Sequence, residues 1–250
     1  MKQTKKSRLW LAAVVFWLVV WQGAAMAIGQ EVFLVSPLQA FGTLVQLLPQ
    51  AEFWQRVAFS AGHILLGFVL GGGCSVLLAV AAERWLWVDA MLAPVMQLVK
   101  ATPVASFIIL ALVWVRGASL SVLISFLMVL PVLYGAVRTG LESADPQLLE
   151  MARVFRVPLG RRLRGIYLPQ VMPYFRTAVS LGLGLCWKAG AAAEIIGLPA
   201  GSMGERLYTA KVYFQTADLF AWTVTIVAVS VVFERLFLAL VDRLMRKAGL

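Results

Sequence analysis

Few side chains in this 250-residue sequence have the types and spacing that catalysis requires. His63 is the only histidine, and no serine–histidine–aspartate set or pair of carboxylates can be assembled around it. Cys74 and Cys186 lie in separate apolar segments, so neither a zinc site nor a disulfide framework is indicated. The phosphate-binding pattern G-x-x-x-x-G-K-S/T is absent. We therefore predict no catalytic residue, no metal site and no ATP hydrolysis by this chain.

The densest group of charged side chains lies in the stretch 150–173, between two apolar segments. An arginine at the centre of a bilayer costs at least ~2.5 kcal/mol, so this stretch cannot cross a membrane. It is suited to binding instead, either to the membrane surface or to a partner on that side of the membrane. Its arginines are Arg153, Arg156, Arg161, Arg162 and Arg164.

The composition places the rest of the chain in a membrane. Hydrophobic residues make up 61% of it and charged residues 14%, and several uncharged runs approach the ~20 residues that span hydrocarbon as a helix. These runs lack the strict alternation of a barrel, so we predict an all-α polytopic protein. The third span must extend back through Pro94 and Pro103, where we expect a kink. The six expected spans cover residues 9–29, 58–82, 92–115, 118–138, 171–196 and 219–241.

The basic residues predict how these spans are oriented. With a cytoplasmic N-terminus, the inner segments carry fifteen lysines and arginines and the outer segments carry four, which is a strong positive-inside bias. Both termini and the arginine-rich stretch are therefore expected in the cytoplasm. The net charge of +10 follows from these loops and their attraction to anionic lipid, so nucleic acid is not an expected partner.

The N-terminal segment has two interpretations. Residues 1–27 have the basic start, the apolar run and the Ala25-Met26-Ala27 sequence of a cleaved signal peptide. Uncharged residues continue past these alanines, however, and the later spans are oriented consistently only after a first helix with its N-terminus inside. We favour an uncleaved first span.

Two short amphipathic helices are predicted around the arginine-rich stretch. Asp145-Pro146 is a helix start, with an N-cap residue followed by proline at the first helical position. A second helix is expected over 161–167, ended by Leu168-Pro169, because proline disfavours helical geometry in the residue before it. The pair could rest on lipid or dock into a cytoplasmic partner. The apolar face of the first helix, 147–155, consists of Leu148, Met151, Ala152 and Phe155.

This pattern resembles the cytoplasmic motif E-A-A-x3-G-x9-I-x-L-P of permease subunits of binding-protein-dependent ABC importers. The chain keeps the spacing but has Met151 in place of an alanine and Arg156 in place of the glycine. Pro158 and Gly160 are available to form the turn that the motif glycine would form. The resemblance covers 63–240 and is nearest to the nitrate/sulfonate/taurine-type branch, which includes importers of vitamin precursors. The residues it points to are Glu150, Met151, Ala152, Arg153, Arg156, Ile166, Leu168 and Pro169.

The resemblance implies a type I ABC importer permease that moves a nitrate-, sulfonate- or taurine-like anion, or a vitamin precursor, into the cytoplasm. Residues 1–56 would form a tail, first helix and outer loop, and residues 57–250 the transmembrane domain, with a coupling loop at 142–169 between spans four and five. The implied partners are an ABC ATPase dimer, a second permease copy, an extracytoplasmic binding protein and membrane lipid. ATP and Mg would be used by the ATPase, so this chain would bind no cofactor. The implied location is a bacterial or archaeal inner membrane.

Two residues of the fifth span are candidates for the translocation path. A charge at Lys188 is costly in hydrocarbon, so it either lines a path that favours anions or pairs with a polar group or snorkels. Glu194 matches a glutamate of the family, and we favour a structural hydrogen-bonding role for it over substrate contact. A secondary transporter or channel, or a membrane scaffold without transport activity, remains an alternative function.

Overall fold

The computed structural model describes residues 2–247, without the side chains of residues 2–8, 10, 11 and 244. This part of the chain is helical and contains no strand. Between α8 and α9 the backbone makes a π-helical turn, Leu163–Tyr167. The helices are α1 (Lys2–Ile28), α2 (Pro37–Leu47), α3 (Ala51–Arg84), α4 (Leu86–Ala101), α5 (Val104–Ala111), α6 (Ala118–Glu142), α7 (Pro146–Val154), α8 (Leu159–Arg162), α9 (Leu168–Gly197), α10 (Met203–Val212) and α11 (Thr216–Lys247).

Four continuous helical segments are long and apolar enough to cross a membrane. They match the second, fourth, fifth and sixth predicted spans, which confirms the all-α, multi-pass architecture. The first predicted span falls on α1, whose described apolar part is Ala12–Ile28, while the side chains at positions 10 and 11 lie outside the described residues. The four segments are Ala51–Arg84, Ala118–Glu142, Leu159–Gly197 and Thr216–Lys247.

The third predicted span, 92–115, is wrong as a single kinked helix. Its residues belong to α4 and α5, whose axes bend by 103° at the break between them. Pro103 causes the break, because a proline disfavours helical geometry in the residue before it, and Thr102 is extended with φ −78° and ψ 129°. Pro94 lies inside α4 without interrupting it.

The centre of the bundle is formed by α3, α6 and α9. Each contributes fully buried aliphatic side chains, and α11 packs on the outside of this group through aromatic rings. Phe237 of α11 lies 5.1 Å from Phe68, and Phe233 lies 5.5 Å from Trp187, measured between ring centroids. The central aliphatic residues are Ile64 of α3, Val129 and Leu133 of α6, and Val179 and Leu183 of α9.

Close packing of α3 on α6 depends on glycines. A Cβ atom at Gly71 would lie 2.9 Å from the carbonyl oxygen of Phe126, and one at Gly67 would overlap the carbonyl oxygen of Val122. These obstacles are backbone atoms, which cannot rotate away as a side chain can. Gly73, further along α3, has no such neighbour within 4 Å. The helices therefore meet along the small-x-x-x-small face of Gly67 and Gly71.

Gly67→Ala is expected to destabilise the folded protein by about 1–3 kcal/mol, because the added methyl group forces α3 away from α6. Gly73→Ala is the matched control, since it adds the same methyl group to the same helix in open space. We expect a lower melting temperature in detergent for Gly67→Ala and an unchanged or slightly higher one for Gly73→Ala. Equal melting temperatures for the two variants would contradict the close contact.

The two ends of the bundle carry separate ion-pair clusters. At one end, Arg56 of α3 contacts Glu205 of α10 at 2.7 Å. Burial alone would raise the pKa of Glu205, but hydrogen bonds from Arg56 and from the backbone N–H of Gly201 outweigh it, so this pKa lies below its ordinary value. The last turn of α6 and the segment 143–158 lie at the other end, because α6 runs parallel to α3, with Arg138 beside Glu83, and antiparallel to α9, with Gly140 beside Val171. Segments 143–158 and 198–215 thus lie at opposite ends of the bundle.

Candidate docking loop and translocation face

The first helix of the arginine-rich region begins where the sequence predicts it. The Asp145 carboxylate accepts a hydrogen bond of 2.8 Å from the backbone N–H of Gln147, and Pro146 occupies the first helical position. Ala152 is buried at 1% exposure, whereas Glu150 and Arg153 are exposed. Ala152 is therefore the buried side chain of α7, and most of the rest of the helix is exposed.

The apolar face of α7 has no partner within the described chain. Val154 and Phe155 are 73% and 74% exposed, and Leu159 at the start of α8 is 71% exposed. Leu148 and Met151 are exposed to a smaller extent. Isolated exposed apolar residues are common, but a contiguous group on a projecting helix marks an interaction surface. We name Leu148, Met151, Val154, Phe155 and Leu159 the docking face.

Sequence reasoning named three members of this face and missed Val154 and Leu159. Val154 lies three residues after Met151, so helical periodicity pointed to it. Leu159 follows the turn and begins α8, so the periodicity of α7 does not include it. Ala152, which was assigned to the same apolar face, is instead the buried contact of the loop.

The turn between α7 and α8 is made by Arg156 itself. Its φ is +51°, in the left-handed region that favours glycine. The N–H of Val157 donates to the carbonyl of Ala152 at 2.9 Å, and the N–H of Arg156 donates to the carbonyl of Arg153 at 3.1 Å, which is a Schellman cap. The expectation that Pro158 and Gly160 form the turn is wrong, since the hydrogen-bonded cap requires a left-handed residue at position 156.

Arg156→Gly is expected to stabilise the loop by about 0.5–1 kcal/mol, because glycine adopts a positive φ without the Cβ clash that arginine suffers. Arg156→Val should destabilise it, since a β-branched side chain is least compatible with that φ. Amide hydrogen exchange in α7 measures the effect: protection should rise in the glycine variant and fall in the valine variant. The same protection in both variants would show that the turn bears no strain.

The second helix of the region does not end at Leu168-Pro169, contrary to expectation. Helical structure continues from Leu159 to Gly197 through the π-helical turn. The N–H of Leu168 bonds to the carbonyl of Leu163, five residues back, and this wider turn accommodates Pro169, which cannot donate to the helix. Ile166 and Leu168 thus lie on the same continuous helical segment as the fifth span.

A cluster around Arg138 joins the loop to the neighbouring helices. Its guanidinium contacts Glu142 at 2.7 Å, Asp89 at 3.2 Å and Glu83 at 3.8 Å. The Tyr134 hydroxyl also donates to Asp89, at 3.0 Å. These residues come from the ends of α3 and α6 and from the start of α4. Sequence reasoning counted Arg138 only in the charge balance; its spacing of four residues from Glu142 was the available signal.

Lys188 lies on the exposed face of α9, opposite the face that packs on α3 and α6. Buried Cys186, Trp187, Ala189 and Gly190 surround it in sequence, so the lysine projects from the core. Within the described residues it forms no ion pair. The exposed face of α9 that carries Lys188 continues toward the segment 142–169 through Leu181, Thr177 and Tyr174.

A second lysine reaches the same side of the bundle. The Lys100 ammonium lies 3.9 Å from where a Cβ would stand at Gly135 of α6. Gly135 lines a cavity of about 440 Å³ between α6 and α9, which Tyr174, Thr177 and Leu181 also line. Lys188 stands about 10 Å beyond Leu181 along α9, by the helical rise of 1.5 Å per residue. Sequence reasoning assigned Lys100 to the inner charge balance and missed this placement.

Glu194 lies away from that face, at 1% exposure. Its Oε2 accepts a hydrogen bond from the Ser60 hydroxyl at 2.7 Å and one from the backbone N–H of Gly204 at 3.3 Å. Ser60 in turn accepts from the N–H of Met203 at 2.9 Å. Glu194 therefore connects α3, α9 and the start of α10, an arrangement suited to the structural role expected of it.

The sequence matches a known family over most of its length. A family model described as "Binding-protein-dependent transport system inner membrane component" matches residues 64–247. The putative aliphatic sulfonates transport permease protein SsuC of Bacillus subtilis is 26% identical over 216 residues, covering 85% of this chain and 77% of the relative. The bicarbonate transport system permease protein CmpB of Synechococcus elongatus is 28% identical over 200 residues, covering 78% and 70%.

Three further proteins are similar to this chain, one in sequence and two in fold. The riboflavin transport system permease protein RibX of Chloroflexus aurantiacus is 26% identical over 216 residues, covering 85% of this chain and 80% of the relative. A crystal structure of an amino acid ABC transporter with histidines matches with a TM-score of 0.60 at 16% identity, covering 83% of this chain and 98% of the other. An inward-facing structure of the MetNI methionine ABC transporter gives a TM-score of 0.54 at 19% identity, covering 78% and 93%. The structural matches establish the shared fold.

Proposed function

Because this chain belongs to the family of binding-protein-dependent transport system inner membrane components, and is therefore the membrane permease of an ABC importer, we propose that its segment 142–169 couples it to an ATPase. The permease is the transport component, and the ATPase would bind ATP and Mg and hydrolyse the nucleotide. Two ATPase subunits would lie on the cytoplasmic side. The observation that supports this proposal is the docking face, whose apolar side chains project from the bundle without a partner in the described chain.

Two features support mechanical coupling through this loop. The helix that follows the turn is continuous with the fifth span, so a displacement of the docking face is passed to α9 without an intervening flexible joint. Arg138 ties the last turn of α6, just before the loop, to Glu83 and Asp89. A displacement of α7 by the ATPase would therefore move α3, α4, α6 and α9 together. A secondary transporter or channel has no need for such a docking surface, so we favour the importer.

The exposed face of α9 supports a second permease copy. Lys188 would be costly to leave in lipid, because a charge at the centre of a spanning helix is disfavoured by at least ~2.5 kcal/mol. A second copy placed against this face would enclose a water-lined path between the two subunits. We propose that the permease acts as a homodimer with Lys188 lining this path, and that both termini are cytoplasmic, as the positive-inside bias indicates.

The charge on this path favours an anionic substrate. Lys188 and Lys100 face the same side of the bundle, and the described part of the chain places no carboxylate in an ion pair with either of them. We propose a small nitrate-, sulfonate- or taurine-like anion or a vitamin precursor, delivered by an extracytoplasmic binding protein. SsuC and CmpB, the similar permeases named for sulfonates and bicarbonate, agree with an anion.

ATP hydrolysis by the reconstituted complex tests this function. The permease, its ATPase and its binding protein would be placed in liposomes with an alkanesulfonate, taurine, nitrate, bicarbonate, riboflavin or a cationic amino acid. We expect one of the anions or the vitamin precursor to stimulate hydrolysis several-fold and to accumulate inside. Stimulation by the cationic amino acid alone would contradict the anion proposal, and failure of the chain to bind any ATPase would contradict the importer assignment.

A further inference from the structure

The five arginines of the loop region have different surroundings. Arg153 and Arg156 are exposed near α7. Arg162 is turned inward, where its Nη2 donates to the Val157 carbonyl at 3.4 Å and its Nε is buried. Arg161 and Arg164 line a groove that the docking face does not share. These two arginines have no role in the coupling proposed above.

The groove has a volume of about 690 Å³ and walls that are almost wholly apolar. It lies between the last turns of α3 and α6 and the π-helical turn that leads into α9. Apart from the two arginines, a tyrosine and a glycine, its lining is aliphatic, and no acidic residue of the described part of the chain lines it. Aliphatic residues of all three walls include Val76 and Val80, Val137 and Leu141, and Leu163 and Leu168.

Its position relative to the helix ends places the groove at the edge of the bilayer. Val80 stands one turn before Arg84, the last residue of α3, and Leu141 stands next to Glu142, the last residue of α6. The charged ends mark the water interface, so the aliphatic walls extend from that interface into the hydrocarbon. The groove is lined by no residue of the docking face, although Gly160 and Arg161 of its lining directly follow Leu159 of that face.

We propose that this groove binds an anionic phospholipid, with one acyl chain between the aliphatic walls and the phosphate on Arg161 and Arg164. Basic pockets between spanning helices at the cytoplasmic surface select anionic headgroups in this way. Guanidinium groups suit phosphate because they offer two parallel N–H donors. The π-helical turn, Leu163–Tyr167, belongs to the wall, and such turns are frequent at functional sites.

The arginines, and not the aliphatic walls, would set the selectivity. An acyl chain gains little by moving from the bilayer into the groove, because both surroundings are apolar. Each arginine near an anionic surface favours the negative lipid by about fivefold. Together they should favour phosphatidylglycerol over phosphatidylcholine with the same chains by about thirtyfold, if the two contributions multiply.

Native mass spectrometry of the full-length chain, with the subunits that copurify with it, tests the site. Dioleoyl phosphatidylglycerol and dioleoyl phosphatidylcholine would be offered in equal amounts, and the ratio of bound lipids measured. We expect about thirtyfold preference for the anionic lipid in the wild type, about fivefold in Arg161→Gln or Arg164→Gln, and none in the double variant. Arg153→Gln, which removes an exposed arginine outside the groove, should keep the wild-type ratio.

A second pair of variants tests whether the groove binds the acyl chain of the lipid. Val80→Trp fills the groove, whereas Val69→Trp adds the same bulk to an equally exposed position of α3 outside it, since the two valines are 53% and 52% exposed. Only Val80→Trp should abolish the preference for phosphatidylglycerol. The proposal is wrong if Arg153→Gln lowers the ratio as much as Arg161→Gln, or if the preference survives in Val80→Trp. It is equally wrong if Val80→Trp releases the ATPase while the lipid ratio stays unchanged, because the groove would then receive a protein.

Discussion

Phe155→Asp is expected to weaken the association of this permease with its ATPase at least ~100-fold. The phenyl ring is 74% exposed at the end of α7, and a buried aromatic at the centre of an interface contributes about 2 kcal/mol or more. The aspartate also leaves a charge without a partner in an apolar contact, which adds to the loss. The measurement is the amount of ATPase retained per permease after affinity purification, compared over a dilution series.

Leu86→Asp is the matched control for this substitution. Leu86 begins α4 at the same end of the bundle, is 84% exposed, and lies outside the docking face. It should retain the ATPase at the wild-type level. Glu150→Lys tests the charge on the same helix, and we expect it to weaken assembly or to uncouple hydrolysis from uptake. Normal assembly and uptake in both Phe155→Asp and Glu150→Lys would show that the ATPase binds elsewhere.

Lys188→Met is expected to reduce substrate uptake about tenfold or more while the complex keeps its basal ATP hydrolysis. Methionine preserves most of the side-chain volume, so the packing of α9 should survive, whereas the positive field at the path is lost. Lys188→Arg should retain part of the uptake, because it keeps the charge but changes its shape and hydration. The readouts are uptake per folded complex in proteoliposomes and hydrolysis in the same preparation.

The opposite outcome for Lys188 is easy to distinguish. If Lys188→Met lowers the yield of folded protein while uptake per folded complex is unchanged, the lysine has a structural role. Lys211→Met is the control, since this exposed lysine lies in α10 at the end of the bundle opposite the segment 143–158. It should leave both uptake and yield near their wild-type values.

The docking face and the groove proposed to bind lipid lie in the same loop region. A continuous helical segment that begins at Leu159, just after the turn at Arg156, leads into the fifth span, and the groove lies against its beginning. A lipid bound there would stand between the end of α3 and the moving part of the loop. We expect the lipid to affect how easily the loop follows the ATPase, while the docking face determines whether the ATPase binds.

The amino-acid sequence alone determined the membrane setting, the helical class, most of the spans and the start of the docking helix. These features depend on short-range properties: the length of uncharged runs, the N-cap at Asp145, and the spacing of apolar residues along α7. The motif spacing from Glu150 to Pro169 gave the family, which the family model then confirmed over residues 64–247.

The tertiary structure decided what depends on contacts between distant segments or on the balance of competing local preferences. The same residue type has different effects at two positions. Pro103 breaks the third span sharply, whereas Pro169 is accommodated in a continuous helical segment by a π-helical turn. Arg156 adopts a left-handed conformation because the cap of α7 requires it, against its own preference. The contacts of Arg138 with Glu83 and Asp89 and the groove beside Arg161 arise only when three helix ends meet in space, and no spacing along the chain encodes that meeting.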